Sequence, residues 1–258
     1  MTTSQKIANA LVGILLLTAA GWLCTSVFHV LGKQTDWEKA WEYRETLWQG
    51  WKTTIAISIA ALGGSVIFGA LFMLGQRSPL PVVRWSCRAF LEFVRDTPLL
   101  VHLLFGYFVI FAPLMSRTLS SYGWEDKLVI GVLLLSVFEG AYLGEILRGG
   151  LESIPQAQWD SARAVGFSSP QIYRHVIIPQ TLRRVLPAIA GLFVSLIKDS
   201  SLLNVIGVME YFYNTRNFIS RSYAGLEGYV PLAFGYLILT LPIAWLSHRL
   251  EKHFRHET

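Results

Sequence analysis

Ser153-Ile-Pro-Gln-Ala-Gln-Trp-Asp-Ser-Ala-Arg-Ala-Val-Gly-Phe-Ser-Ser-Pro-Gln-Ile-Tyr-Arg-His-Val-Ile-Ile-Pro-Gln-Thr-Leu-Arg-Arg-Val-Leu-Pro187 is a polar stretch set between two long apolar ones. Its punctuation predicts two short helices meeting at a turn. Pro155 suits a first helical turn, where a missing N–H costs nothing. Gly166 stands where a helix ends in a left-handed residue. Ser168 followed by Gln171 is a capping box, with Pro170 in the opening turn. Pro179 interrupts the second helix, because it lacks a donor and clashes with the preceding turn. On that helix Ile172, Tyr173, Val176 and Ile177 share one side and Gln171, Arg174 and His175 the other. A compact amphipathic helix–turn–helix held against a membrane has the form of a docking surface.

The flanks make the membrane reading. Over 258 residues the chain is 53% hydrophobic, with a mean hydropathy of +0.44. A bilayer core needs roughly 20 apolar residues per helix. Stretches near 7–31, 53–74, 88–112, 127–147, 185–208 and 229–246 qualify. The expected fold class is therefore all-α, a polytopic bundle of about six membrane helices. The apolar run of the first segment is too long for a signal-peptide core, so it reads as a retained helix.

Orientation follows from Lys and Arg. With the N-terminus in the cytoplasm, Lys6, the basics of 77–95, of 148–184 and of the 249–255 tail all fall inside. The outer side receives Lys33, Lys39, Arg44, Lys52, Arg117, Lys127, Arg216 and Arg221, offset by Asp36, Glu38, Glu42, Glu45, Glu125, Asp126, Glu210 and Glu227. The excess positive charge thus lies on the side of Ser153–Pro187. In so apolar a chain the net charge of +5 marks topology and anionic lipid, not nucleic acid. Cys24 and Cys87 form no disulfide framework, and no Cys/His metal spacing occurs.

Taken in order, Trp37, Trp41, Trp48 and Trp51 lie among alternating charges. They suit either a surface helix in the headgroup zone or a contact for an external partner. Gly63, Gly64 and Gly69 allow close helix approach in lipid. Pro98 frees a backbone carbonyl near one end of its segment, a candidate gate element. His102 is either a packed imidazole or a pore-lining group. Glu145 and Arg148 are spaced to pair. Glu139 is an acid inside an apolar segment, a functional-site hypothesis by default. Lys198 and Asp199 point about 100° apart on a helix. Each serves as internal counter-charge or contacts a zwitterionic solute. The chain has no Gly-x-x-x-x-Gly-Lys-Ser/Thr phosphate loop, so nucleotide-driven transport requires another chain. An ion-coupled secondary transporter is the alternative; it predicts matching interrupted helices in two halves, and none is found. No nucleophile–base grouping marks an enzyme.

Asp160-Ser161-Ala162, then Gly166, then Val176-Ile177-Ile178-Pro179 resembles the EAA loop of ABC-importer permeases in spacing at every step. Asp160 stands for Glu, Ser161 for the first Ala, Val176 for Ile and Ile178 for Leu. Glu92-Phe-Val-Arg95-Asp96-Thr97-Pro98-Leu-Leu-Val-His102 resembles the Glu-x-x-Arg-Gly-Thr-Pro-Leu-Leu-x-Gln signature of polar amino-acid permeases, of the histidine/glutamine kind. Asp96 replaces Gly there and His102 replaces Gln. Ala141-Tyr-Leu-Gly-Glu145-Ile-Leu-Arg148-Gly-Gly and Lys198-Asp199-Ser200-Ser201-Leu202 resemble two further runs of that family, Ser200 standing for Thr.

The resemblance implies a permease subunit of an ATP-driven importer. Asp160, Ser161, Ala162, Arg163, Gly166, Tyr173 and Pro179 would dock an ATPase. Thr97, His102, Glu139, Lys198, Asp199 and Ser200 are the candidate substrate path. Implied partners are two ATP-binding subunits that hold ATP and Mg, a second permease subunit, an extracytoplasmic solute-binding protein and an amino-acid substrate. The expected location is the bacterial cytoplasmic membrane with both termini inside. Residues 1–52 form an added helix and surface segment, 53–250 the permease domain and 251–258 a tail. The first helix departs from the family's commoner five-helix form.

Overall fold

The computed structural model describes residues 3–31, 35–114 and 127–255, helices joined by short turns and loops, with no strand among them. Lys33, Arg117, Glu125 and Asp126 of the expected outer side lie outside the described residues. Helix α1 spans Thr3–Leu31, α2 Trp37–Glu42, α3 Arg44–Gln76, α4 Pro81–Asp96, α5 Leu99–Leu104, α6 Ala112–Leu114 and α7 Lys127–Glu152. The short α8 (Gln156–Ala164) and α9 (Ser169–Ile172) precede α10 (Ile178–Asp199), α11 (Tyr211–Ser222) and α12 (Gly225–Arg255). Five described helical stretches are long and apolar enough to cross a membrane, and a sixth crossing exists if the bent α4–α5 pair is one span.

Helices α3 and α7 form the spine. A Cβ on Gly64 would collide with the Ser136 side chain, and one on Gly144 would lie 3.1 Å from Gly69 O. Only bare backbone permits that approach, and close contact is what holds helices together in lipid. The hydroxyls at this seam are satisfied along their own helices: Ser65 donates to Ala61 O at 2.7 Å and Ser136 to Val132 O at 2.6 Å. Around the spine Ile57, Ala61, Leu91, Val94, Leu103, Leu135, Leu196 and Leu203 close a core. Helix α1 buries none of its apolar window against the remainder.

Three proline sites differ from expectation. The 88–112 stretch is not one rod: α4 and the helix resuming at Leu99 meet at 110°. Thr97 is extended (φ −114°, ψ 139°), as the clash with a following proline ring requires. Pro179, by contrast, does not stop its helix. The chain widens into a π-helix over Tyr173–Ile177 and runs on as α10, with Pro179 in the first turn. The wider turn accommodates a position that has no donor. Pro155, expected inside α8, is the residue just before it. The third helix starts at Arg44 rather than near Thr53, so the tryptophan-bearing segment continues into the span.

Candidate functional site

The helix–turn–helix forms as its residues dictate. Gly166 takes φ +87°, and the Ser168 N–H donates to Gln171 Oε1 at 2.8 Å. Of α8 only Ala162 is buried, with Trp159 half-buried; Asp160, Ser161 and Arg163 stand exposed. Asp160 accepts from Arg163 Nη1 at 3.2 Å and from Gln156 Nε2 at 3.1 Å. Val165, at 76% exposure, is an apolar tip on the turn.

Beneath this surface Leu151, Ile154, Ala162, Ile172 and Ile177 make a second core, with Trp159 and Val176 packed on it. Tyr173, 37% exposed, meets Trp159 edge-on. Arg184 Nη1 donates to Ser153 O at 2.6 Å, and Gln180 Nε2 to Gln158 Oε1 at 3.2 Å. These two links fasten the loop to α10. Pro179 itself is exposed.

On the side of α7, Arg148 pairs with Glu145 at 2.8 Å and Glu152 at 2.7 Å, while Arg95 of α4 reaches Glu145 at 3.6 Å. The i,i+3 pair was legible in the sequence. The cross-helix Arg95 contact was not, because nothing local places α4 beside α7.

The candidate path residues separate into two groups. Glu139 and Asp199 come together, their carboxyls within hydrogen-bonding range of each other. They line a cavity of about 350 Å³ with Leu99, Phe138, Tyr142, Leu192 and Ser195. Tyr142 and Ser195 were missed, although Tyr142 follows Glu139 by one helical turn and Ser195 precedes Asp199 by one.

Thr97, His102, Ser200 and Lys198 do not line that cavity. Ser200 is fully buried and donates to Ile197 O, and Lys198 is exposed. Thr97 and His102 repair the α4–α5 break. The end of α4 leaves carbonyls without helical partners. The Thr97 hydroxyl donates to Phe93 O. His102 Nε2 lies 3.2 Å from Val94 O, which makes it the N–H donor. Tyr142 OH donates to Arg95 O at 3.4 Å. At membrane depth such side-chain donors replace the water that would otherwise serve these groups.

Glu210, read in the sequence only as an outer charge, is fully buried at the head of α11. Its carboxyl accepts from the N–H groups of Phe212 and Tyr213, both at 2.7 Å, and from the hydroxyls of Tyr236 at 3.2 Å and Thr54 at 3.4 Å. Burial nonetheless pushes its pKa up to about 7, and burial likewise raises that of Tyr211 to about 12. Among the described residues no three His, Cys, Asp or Glu converge on a metal position.

Comparison with known proteins adds independent findings. The pattern of the family described as "Binding-protein-dependent transport system inner membrane component" matches residues 65–256. The chain is 32% identical over 222 residues to the glutamine transport system permease protein GlnP of Escherichia coli K12, covering 86% of this chain and 99% of that one. It is 29% identical over 209 residues to the probable glutamine ABC transporter permease protein GlnM of Bacillus subtilis, covering 80% and 93%. A crystal structure of an amino acid ABC transporter with histidines superposes with a TM-score of 0.73 at 27% identity, over 85% of this chain and 99% of that one. The MetNI methionine ABC transporter shares the fold, with a TM-score of 0.63 at 16% identity over 83% and 98%.

Proposed function

This chain belongs to the family of binding-protein-dependent transport system inner membrane components, and on that premise we propose that it is the permease subunit of an ATP-driven importer of polar amino acids. The relatives named for glutamine and for amino acids support that substrate class. They leave the ion-coupled alternative without support. The chain supplies the membrane path, and ATP and Mg belong to a separate ATPase subunit. A second permease and an extracytoplasmic solute-binding protein complete the assembly. The Lys and Arg distribution supports placing the α8 end, and both termini, in the cytoplasm.

The observation that carries the reading is the α8–α9 surface. It is polar and exposed outward, with Asp160, Ser161, Arg163 and Gly166 on show, yet pinned inward to α10 by Arg184–Ser153 and Gln180–Gln158. A partner that grips α8 therefore moves α10 with it, and α10 carries Asp199 at its far end. ATP-driven closure of the ATPase would shift the loop as a lever, and the bundle would alternate between two packings rather than deform continuously. In this mechanism Glu139 and Asp199 contact the solute. Lys198, on the exposed face of α10, faces the second permease subunit. Thr97, His102 and Ser200 hold the walls.

Asp160→Lys tests the docking. It reverses the charge offered to the ATPase without touching the buried Ala162. Uptake by the reconstituted complex should fall about tenfold or more, the effect of losing ~1.4 kcal/mol of docking energy, while the subunit still inserts. Wild-type uptake in this variant would remove α8 from the interface.

A further inference from the structure

A groove at the N-terminal end of α3 takes no part in the transport path. Trp37 and Trp41 of α2 and Trp48 and Trp51 of α3 face Phe234 and Ile238 of α12 across a cavity of about 640 Å³. Trp48 and Trp51 stack, their centroids 4.9 Å apart and their planes at 14°. The groove runs along the helices: Arg44 to Trp51 on α3, like Pro231 to Ile238 on α12, covers two turns, about 10 Å. With 33 residues α3 is about 50 Å long, against a hydrocarbon core of about 30 Å. Its first turns therefore stand at headgroup depth, whereas Phe234 and Ile238 lie within the apolar 229–246 stretch of α12.

The deeper wall keeps its side-chain donors to itself. Trp51 Nε1 donates to Gly235 O at 3.1 Å and Tyr211 OH to Pro231 O at 2.7 Å, so ring faces and carbon are what it presents. At the mouth the reverse holds. Arg44 lies over the Trp41 ring at 4.8 Å and gives Nη1 to Trp41 O at 2.8 Å. Lys52 Nζ lies 6.0 Å from the centroid of Trp48. Neither cation pairs with an acid among the described residues, and the indole N–H groups of Trp37, Trp41 and Trp48 find no acceptor there. The acids of the segment are engaged or turned elsewhere. Asp36 pairs with Lys39 at 3.4 Å, Glu45 accepts from Gln49 at 3.1 Å, and Glu38 and Glu42 do not line the groove.

An apolar slot beneath unpaired cations and N–H donors has the polarity of one lipid chain beneath one phosphate. A guanidinium presents a fork of donors to phosphate oxygens, and an ammonium adds charge. Indole rings favour the same headgroup zone. Lipid tails are as apolar as the slot, so the chain gains only packing there, and the mouth decides which lipid stays. An ethanolamine headgroup would bring its ammonium up to two cations. A glycerol headgroup brings hydroxyls, which the free indole N–H groups can serve. A soluble protein cannot reach Phe234 and Ile238 at acyl-chain depth.

We propose that this groove holds one anionic phospholipid of the phosphatidylglycerol kind. Its phosphate sits at Arg44 with Lys52 reinforcing the charge, and one acyl chain lies between the Trp48–Trp51 stack and Phe234 and Ile238. The lipid fills the space between α2, α3 and α12, and the site is independent of the solute that the bundle carries.

The test uses the purified permease–ATPase complex in phosphatidylcholine nanodiscs. These are doped with phosphatidylglycerol or phosphatidylethanolamine carrying a photoreactive acyl chain, at equal mole fraction. After irradiation the labelled peptides are mapped. Phosphatidylglycerol should label the segments around Trp48–Trp51 and Phe234–Ile238 about fivefold or more above phosphatidylethanolamine. Arg44→Gln should bring that label down to the phosphatidylethanolamine level and leave label elsewhere on the bundle unchanged. The comparison of the two lipids needs no variant, so a poorly folding mutant leaves the test intact. Equal labelling of the groove by both lipids overturns the inference, as does groove label that Arg44→Gln leaves in place. An unlabelled groove, as α1 or another protein chain seated in it would give, also overturns it. Transport is not read in this assay, so a negative result leaves the permease reading standing; that reading fails on its own uptake measurement.

Discussion

The carboxyl of Glu210 serves two backbone N–H groups at the head of α11 and two hydroxyls from α3 and α12, so one side chain joins three helices. Its pKa of about 7 against an ordinary 4.5 makes this junction pH-dependent. The folded protein binds the proton more tightly than the unfolded chain, so the contribution is complete below pH 4.5 and is lost as pH rises to 7. The span corresponds to about 3 kcal/mol. Thermal unfolding in nanodiscs should show Tm falling between pH 5 and pH 7.5, more steeply in wild type than in Glu210→Gln. Parallel pH profiles would mean that Glu210 is not the titrating group.

At this scale the sequence is readable in part. Glu139 and Asp199 are conspicuous as acids in apolar runs, and the 100° step between Lys198 and Asp199 separates them as the structure does. What no local pattern contains is the register of α7 against α10, which sets Ser195 and Tyr142 on one cavity, or the fold-back that buries Glu210.

Among the elements, α3 and α7 were legible as close-packing partners to the extent that Gly63, Gly64 and Gly69 announce a smooth helix face. Which glycine does the work depends on rotation about the helix axis, and adjacent positions differ by about 100°. Gly64 faces Ser136, whereas a Cβ on Gly63 meets nothing within 4 Å. Gly64→Ala should therefore destabilise the purified subunit by about 1–3 kcal/mol through overpacking, while Gly63→Ala stays near wild type in the same thermal assay. Equal effects would contradict the packing. The prolines were recognisable as interruptions, but their outcomes diverge for tertiary reasons. Pro179 enters a helix already widened over Tyr173–Ile177, whereas at Pro98 the donors of Thr97, His102 and Tyr142 stand ready to serve a severed end.

For the molecule as a whole, Arg95, Glu145, Arg148 and Glu152 bridge α4 to α7 close to the loop proposed to dock the ATPase. The pairs are partly exposed, so their net contribution to stability is modest, about 1 kcal/mol or less. Their geometry, however, ties the bent segment to the spine. Glu145→Gln should change Tm little yet lower uptake per ATP hydrolysed, read by paired transport and phosphate-release assays. A proportionate loss of stability and uptake would reduce the bridge to a scaffold role. The 110° elbow between α4 and the helix from Leu99 has a consequence for where such a protein can live. A straight crossing must match the hydrocarbon thickness or tilt to do so; a segment bent this sharply makes no such demand, so the membrane thickness that suits the protein is chosen by its unbroken helices, α3 and α7 foremost.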